Sequence, residues 1–238
     1  MGNSKKYLLS TRPLPKSVIE EGAKKNVIIE ELSFITTHPV QNEELFETIK
    51  QLAEEKHTVV FTSMNAVEAV AAHVNAVPGW RIYSIGNTTN KLIEEKWGSD
   101  KVAATADSAS GLAERLVDDE VKEVIFFCGN IRREELPNKM RSEGNQVEEV
   151  IVYETEETPA VIEKTYDGIL FFSPSAVNAF YSRNKPTKET VLFAIGKTTA
   201  EAIKQHKGQK VVVANQASKV DLAMKAIAYF DKLNKQEA

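Results

Sequence analysis

One cysteine, Cys128, is all the chain has, so no internal disulfide can form and no multi-cysteine metal site can be built. That suits a reducing compartment, and with no signal-peptide core at the N-terminus a cytoplasmic protein is expected. Met1-Gly2 does not open a myristoylation motif either, since Lys6 stands where that motif wants Ser or Thr. Apolar runs never exceed strand length, so no membrane partner is expected. The 30 Lys and Arg are outnumbered by 34 Asp and Glu and form no basic run, so no nucleic acid is expected, and an anionic ligand must be held by local groups. His38, His57, His73 and His206 sit among polar neighbours with no second ligand at metal spacing; no metal site is expected. No spaced-glycine dinucleotide fingerprint is present. What remains, 238 residues at 42% hydrophobic and 27% charged, is length enough for two compact domains.

The chain also contains a repeat. Phe61-Thr62-Ser63 with Ala66-Val67, followed by Ser84-Ile85-Gly86 and Thr88-Thr89, returns as Phe171-Phe172-Ser173 with Ala176-Val177, then Ala194-Ile195-Gly196 and Thr198-Thr199. The offset is 110 residues throughout, and Ser108 with Ser218 and Leu112 with Leu222 extend it. A period this long means a duplicated domain. Each copy reads as a short Val, Ile and Phe run entering a Ser or Thr and then an apolar helical pattern, which is a strand running into a helix N-terminus.

Along the chain, strands are expected at 7–10, 27–34, 59–62, 81–85, 102–104, 123–128, 147–155, 168–172, 191–195 and 211–214. Helices are expected between them, with clear examples at 15–25, 42–55 and 132–142. Such alternation implies α/β architecture with doubly wound parallel sheets covered on both faces. A second echo, Ile29 to Phe34 with Val147 to Val152, has an offset of 118. The order is therefore short unit, long unit, short unit, long unit. A tandem cut near residue 120 and an interleaved assembly, in which the first short unit completes the last long one, both fit. Long Gly- and Pro-free stretches at Glu30 to Thr37 and Glu148 to Thr155 favour interleaving, as a pair of domain-crossing strands.

Ser63, Thr88, Thr89, Ser108, Ser173, Thr198, Thr199 and Ser218 all follow strands at or near helix starts. Taken singly, each is explained by capping. As a set they mark the carboxyl ends of parallel strands, where a doubly wound sheet opens its ligand crevice and helix N-termini offer amides to anions. Gly196-Lys197-Thr198 is not the end of a triphosphate-binding loop, because Val191 stands where such a loop needs glycine. Glycine there is expected to allow a tight turn and close backbone approach to a ligand. Arg12, and Arg132 with Arg133, follow strands at positions where a helix dipole disfavours cations, which points to anion binding. Tyr153 lies on the proposed crossing strand.

In these motifs the chain resembles the uroporphyrinogen-III synthases, over nearly its whole length. The resemblance rests on Thr11-Arg12-Pro13, Phe61-Thr62-Ser63, Gly86-Asn87 with Thr89, Cys128-Gly129-Asn130 with Arg133-Glu134 and Leu136-Pro137, Val152-Tyr153, Phe171-Phe172-Ser173-Pro174-Ser175, and Ala194-Ile195-Gly196 with Thr198-Thr199. It implies two α/β domains joined by a two-stranded ladder in interleaved order. Residues 1–33 and 156–238 would form one domain and 36–152 the other, with crossing strands near 32–37 and 150–155. The implied activity is that of a lyase: cofactor-free cyclisation of hydroxymethylbilane, a linear tetrapyrrole with eight carboxylates, with loss of water and inversion of the last ring. By position, Tyr153 matches the tyrosine proposed to assist departure of the hydroxyl. Arg12, Ser63, Thr88, Thr89, Gly129, Asn130, Arg132, Ser173, Ser175, Gly196, Thr198 and Thr199 are the expected substrate-binding residues, in a protein expected to act as a monomer. The rival reading is a non-enzymatic two-domain binding protein for a small anion; a sugar-nucleotide transferase of two doubly wound domains would normally be longer.

Overall fold

The structure is a computed structural model; it describes residues 4–236 apart from 207, 209 and 217. In chain order the elements are β1 (Lys6–Ser10), α1 (Lys16–Lys24), β2 (Val27–Glu31), β3 (Ile35–Pro39), α2 (Glu43–Glu54), β4 (Thr58–Phe61), α3 (Met64–Ala71), β5 (Arg81–Ile85), α4 (Asn87–Trp97), β6 (Val102–Ala106) and α5 (Ala109–Asp118). They continue with β7 (Glu123–Gly129), α6 (Glu135–Ser142), β8 (Gln146–Glu157), β9 (Gly168–Phe171), α7 (Pro174–Tyr181), β10 (Val191–Ala194), α8 (Lys197–Gln205), β11 (Val211–Val213) and α9 (Lys219–Gln236). Two compact units result, Thr37–Thr155 and Met1–Thr36 with Glu156–Ala238. The expected α/β class with parallel-dominated sheets is what the structure shows.

The first unit is built on the order β3-β8-β7-β4-β5-β6, with β7, β4, β5 and β6 parallel neighbours. Val59, Val60 and Phe61 of β4 are consecutive and wholly buried, as a strand covered by helices on both faces requires. One layer packs Ile49, Val67, Val70 and Trp97 against Phe61 and Phe127; the other packs Leu112, Leu116 and Met140 against Val60 and Phe126. Helix α2 starts at Asn42, whose side chain accepts the amides of Glu44 at 2.8 Å and Leu45 at 3.2 Å.

The second unit is the parallel sheet β11-β10-β9-β1-β2. Its β9 and α7 repeat β4 and α3 at the same bounds, 110 residues on. The short echo is β1-α1-β2 against β7-α6-β8. β1 pairs with β9, Leu8 beside Gly168, whereas β7 pairs with β4, Phe127 beside Phe61.

Two expectations are corrected. The strand read at 27–34 ends at Glu31 and resumes at Ile35, because Phe34 turns into the core, fully buried and edge-on to Phe180 with ring centroids 5.4 Å apart. The helix read at 132–142 begins at Glu135. Pro137 is the cause: lacking an N–H, it fits a first helical turn and not a second.

Candidate functional site

Strand order fixes where a site can form. In the sheet holding β4, the chain runs outward from β4 to β5 and β6, then returns to the other side of β4 as β7. In the other sheet it runs from β9 to β10 and β11 on one side, with β1 and β2 on the other. Loops leaving the two strands at such a switch point diverge, opening a crevice at their carboxyl ends. Ser63 follows β4, and Gly129 ends β7 with Asn130 after it, at one switch point; Arg12 follows β1 and Ser173 follows β9 at the other. Thr88 and Thr89 after β5, and Gly196, Thr198 and Thr199 after β10, lie at the same carboxyl edges, one strand further out. Each unit by itself therefore collects its expected residues along one edge.

The serines and threonines there are not equivalent. Ser63 Oγ accepts the Asn65 amide at 3.2 Å and Ser173 Oγ accepts the Ala176 amide at 3.1 Å, so both are N-caps. A hydroxyl that accepts in this way keeps its own proton to donate, so capping does not exhaust it. Thr88, Thr89, Thr198 and Thr199 are first-turn residues of helices whose N-caps are Gly86 and Gly196. Neither glycine can supply a side-chain cap, so α4 and α8 both begin without an N-cap side-chain hydrogen bond, at the positive end of the helix dipole. Thr89 and Thr199 are buried, while Thr88 and Thr198 are exposed. Gly86 has φ +75 and needs glycine for its turn; Gly196, at φ −165, does not, and a Cβ there would meet nothing within 4 Å. Lys197 is exposed at the first position of α8, where the dipole disfavours a cation.

Tyr153 is half-buried on β8, level with Gly129 at the end of β7, where a register shift between Cys128 and Gly129 interrupts the ladder. Its ring lies over Gly129: a Cβ there would be 3.0 Å from the phenolic oxygen. The neighbouring Asn130 is engaged with β8 at Tyr153 and at Thr155. Its amide donates to the Tyr153 carbonyl at 3.2 Å, its side-chain oxygen accepts the Thr155 amide at 2.8 Å and the Ile131 amide at 2.8 Å, and its Nδ2 donates to the Thr155 carbonyl at 3.4 Å. Asn130 thus positions Tyr153, which alters the reading of its side chain as a substrate ligand.

The reading of Arg132 changes as well. It stands before α6 and not at a helix start, so the dipole argument does not apply. Its guanidinium is hydrogen-bonded to Glu149 of β8 and lies 3.5 Å from Glu134, while Arg141 reaches the other oxygen of Glu149 at 2.7 Å. Burial pushes the Glu149 carboxyl up, but the Arg141 and Arg132 hydrogen bonds outweigh it and hold the group below its ordinary value. In turn the hydrogen bond to Glu149 raises the Arg132 pKa. The charge that seemed misplaced has its partner 17 residues on, in the adjacent strand. Arg12 is partly exposed beside Ser10, whose hydroxyl donates to the Arg12 carbonyl at 2.5 Å. Ser175 is partly exposed in the first turn of α7.

Burial pushes the Cys128 thiol up to about 12, so beside Gly129 there is a protonated thiol and not a nucleophile. His38 lies 3.7 Å from Glu154, a juxtaposition across β3 and β8 that sequence spacing did not reveal. Two cavities, of about 160 Å³ beside Ile169, Arg183 and Thr190 and about 240 Å³ beside Thr58, Glu123 and Gln146, open at the amino ends of strands. The glycine N-caps of α4 and α8 and the switch points lie instead at the carboxyl ends. Among the described residues no helix is long and apolar enough to cross a membrane.

Two units built on parallel-dominated sheets, each with a glycine helix N-cap and hydroxyls along its carboxyl edge, define an α/β protein. The family described as Uroporphyrinogen-III synthase HemD matches residues 17–223. The chain belongs to that family. It is 28% identical over 141 residues to the uroporphyrinogen-III synthase of Saccharomyces cerevisiae, a match that spans 51% of this chain and about half, 51%, of the yeast protein. Among solved structures, a uroporphyrinogen-III synthetase from Helicobacter pylori aligns over 94% of this chain and 99% of its own, with a TM-score of 0.65 at 16% identity. A mutant uroporphyrinogen III synthase from Thermus thermophilus aligns over 98% and 100%, with a TM-score of 0.68 at 14% identity. At such identities the structural likeness establishes the fold.

Proposed function

We propose that this chain cyclises hydroxymethylbilane to uroporphyrinogen III. What supports the reading, beside family membership, is that α4 and α8 each start from a glycine N-cap at the carboxyl edge of their own sheet, and that burial keeps the Cys128 thiol protonated. Such edges suit a substrate with many carboxylates, and a reaction in which the protein supplies geometry more than reactive groups. On each unit by itself, carboxylates would take first-turn amides and hydroxyls: those of α4 with Ser63 and Thr88 in one, and those of α8 with Ser173, Ser175 and Thr198 and the Arg12 and Lys197 cations in the other.

In the reaction the hydroxymethyl C–O bond breaks as the pyrrole nitrogen lone pair pushes in, giving an electrophilic azafulvene. The leaving hydroxide takes its proton from the Tyr153 phenol and departs as water, and the pyrrole N–H proton, passed back to the phenolate, leaves the azafulvene neutral. The terminal ring then attacks through its substituted α-carbon to give a spiro intermediate. One bond of that centre fragments, the ring recloses through its other α-carbon, and loss of the ring proton restores aromaticity. Tyr153 is the catalytic residue in this scheme, held by Asn130 and Gly129. No step calls for a cofactor, and the enzyme is taken to act as a cytoplasmic monomer. The two compact units are read as interleaved domains, with β3 and β8 as the strands that carry the chain between them.

The test is incubation of the full chain with freshly made hydroxymethylbilane, followed by oxidation and chromatographic separation of the isomers. Type III product is expected. Type I product alone, formed no faster than without protein, would overturn the reading, and tight binding without turnover would return the chain to the class of anion-binding proteins.

A further inference from the structure

Hydroxyls, amides and cations account for the carboxylates of such a substrate and leave its flat pyrrole rings without a partner. Two side chains at the switch point between β4 and β7 fit that need. Phe61, the last residue of β4, is the register partner of Phe127, two residues before the end of β7. Met64 follows three residues after the first and Ile131 four residues after the second, so both stand where the two loops diverge, flanking Ser63 and Gly129-Asn130. They are 40% and 49% exposed.

A single exposed apolar residue is ordinary, and Val77 or Val220 needs no special account. Met64 and Ile131 differ in their place and in having no local duty that explains them. At the matching position of the other repeat stands Pro174, also the first residue of a helix, where the fixed φ of proline and its missing N–H suit the helix start. Methionine there brings no such advantage and leaves a large apolar side chain 40% exposed. Ile131 sits in a bend outside any strand or helix, where a β-branched side chain has no conformational advantage.

We propose that Met64 and Ile131 form an apolar platform on which a pyrrole ring of the substrate packs, placing that ring beside Tyr153 and Asn130. This rests on the function proposed above. Methionine suits such a contact, because its sulfur interacts favourably with aromatic rings and its unbranched chain adapts to their position. The rings are bound before and during the reaction alike, so the platform contributes uniform binding. Its loss therefore acts on KM and not on kcat.

Steady-state kinetics of the full chain with hydroxymethylbilane test this, with Met64→Gln, Ile131→Gln and the double variant measured beside the wild type. Each single change is expected to raise KM about 5-fold and the double about 20-fold, in keeping with the apolar area withdrawn from the contact. kcat should stay within about twofold and the melting temperature should not move, since neither side chain is in a core. Met64→Leu should recover most of the affinity. The salt dependence of KM should match the wild type, because no charge has changed. An unchanged KM in the double variant, or a fall in kcat with KM constant, would overturn the platform while leaving the proposed activity intact. A wild-type chain that makes no type III product would overturn the activity itself, and the platform with it. Should the double Gln variant fold poorly, Met64→Ser alone carries the same expectation.

Discussion

A Cβ added to Gly129 would stand 2.5 Å from Cε2 and 2.6 Å from Cζ of Tyr153, closer than any carbon contact tolerates. The two residues are register partners on β7 and β8, beside the shift that interrupts the ladder, and the Tyr153 ring packs against the core layer containing Phe127 and Val152. Gly129→Ala should therefore displace the ring. Overpacking of this kind costs about 1–3 kcal/mol, readable by denaturant melts. Tyr153→Phe keeps the ring in place and removes only the donor, so its stability should be near wild type. Its kcat should fall by up to about 10²-fold, the low end for general acid assistance, because an electron-rich pyrrole expels hydroxide readily. Gly129→Ala should approach the same kcat. Wild-type turnover in both variants would remove Tyr153 from the mechanism.

Gly196 offers a cleaner probe of ligand approach than Gly86. Alanine at 86 would be forced to φ +75, a conformation that disfavours any side chain, so loss of activity there could be loss of fold. At 196 the backbone is extended and the space around a Cβ is empty. Gly196→Ala should leave the melting temperature unchanged or slightly raised, since it reduces the freedom of the unfolded chain. KM should nevertheless rise, by about tenfold if the methyl keeps one carboxylate from the α8 amides at a cost of one charge-assisted hydrogen bond of roughly 1.5 kcal/mol. An unchanged KM would place the substrate elsewhere.

The Arg132–Glu149–Arg141 cluster has a pH signature. The Glu149 carboxyl is held below its ordinary value when folded, so the unfolded chain binds its proton more readily. Its stabilisation is fully present above the ordinary carboxylate pKa of about 4.3 and is lost as pH falls through the lower folded value. Glu149→Gln should cost about 1.5–3 kcal/mol at pH 7, the usual worth of hydrogen bonds to a charged group, and progressively less under acid. Denaturant melts across that range would show the two curves converging at low pH. Curves that stay parallel would mean the ion pairs contribute nothing.

What the sequence reveals and what it withholds divide along range. Ser63, Ser108 and Ser173 are legible as caps because capping is local: a serine before an apolar helical pattern is its own evidence. The parallel α/β class is legible in the buried runs of β4, β9 and β10. The start of α6 was equally there to be read, in Pro137. The break after Glu31 was not, because it is imposed by Phe34 packing on Phe180, 146 residues away. Nor was the partner of Arg132, since Glu149 comes near only through the pairing of β7 with β8. The switch points belong to this second class, because strand order is a statement about long-range pairing alone.

Ser173 joins the two kinds of information, and a pair of substitutions separates them. Its Oγ accepts the Ala176 amide at 3.1 Å, a duty legible from sequence, and its place after β9, beside β1, puts its hydroxyl proton at a switch point. Replacing an N-cap serine by alanine costs about 1 kcal/mol, whereas glycine costs only a few tenths, because water reaches the helix amides once no side chain shields them. Ser173→Ala should thus lower the melting temperature and Ser173→Gly hardly at all. If the hydroxyl also donates to a substrate carboxylate, both variants lose that bond equally, and KM should rise by about 3- to 10-fold in each, as a single hydrogen bond of roughly 0.5–1.5 kcal/mol predicts. Thermal melts therefore read the cap, and steady-state kinetics on the same two variants read the donor. A KM that follows the melting temperature, raised in the alanine variant and normal in the glycine variant, would make Ser173 a cap and nothing more.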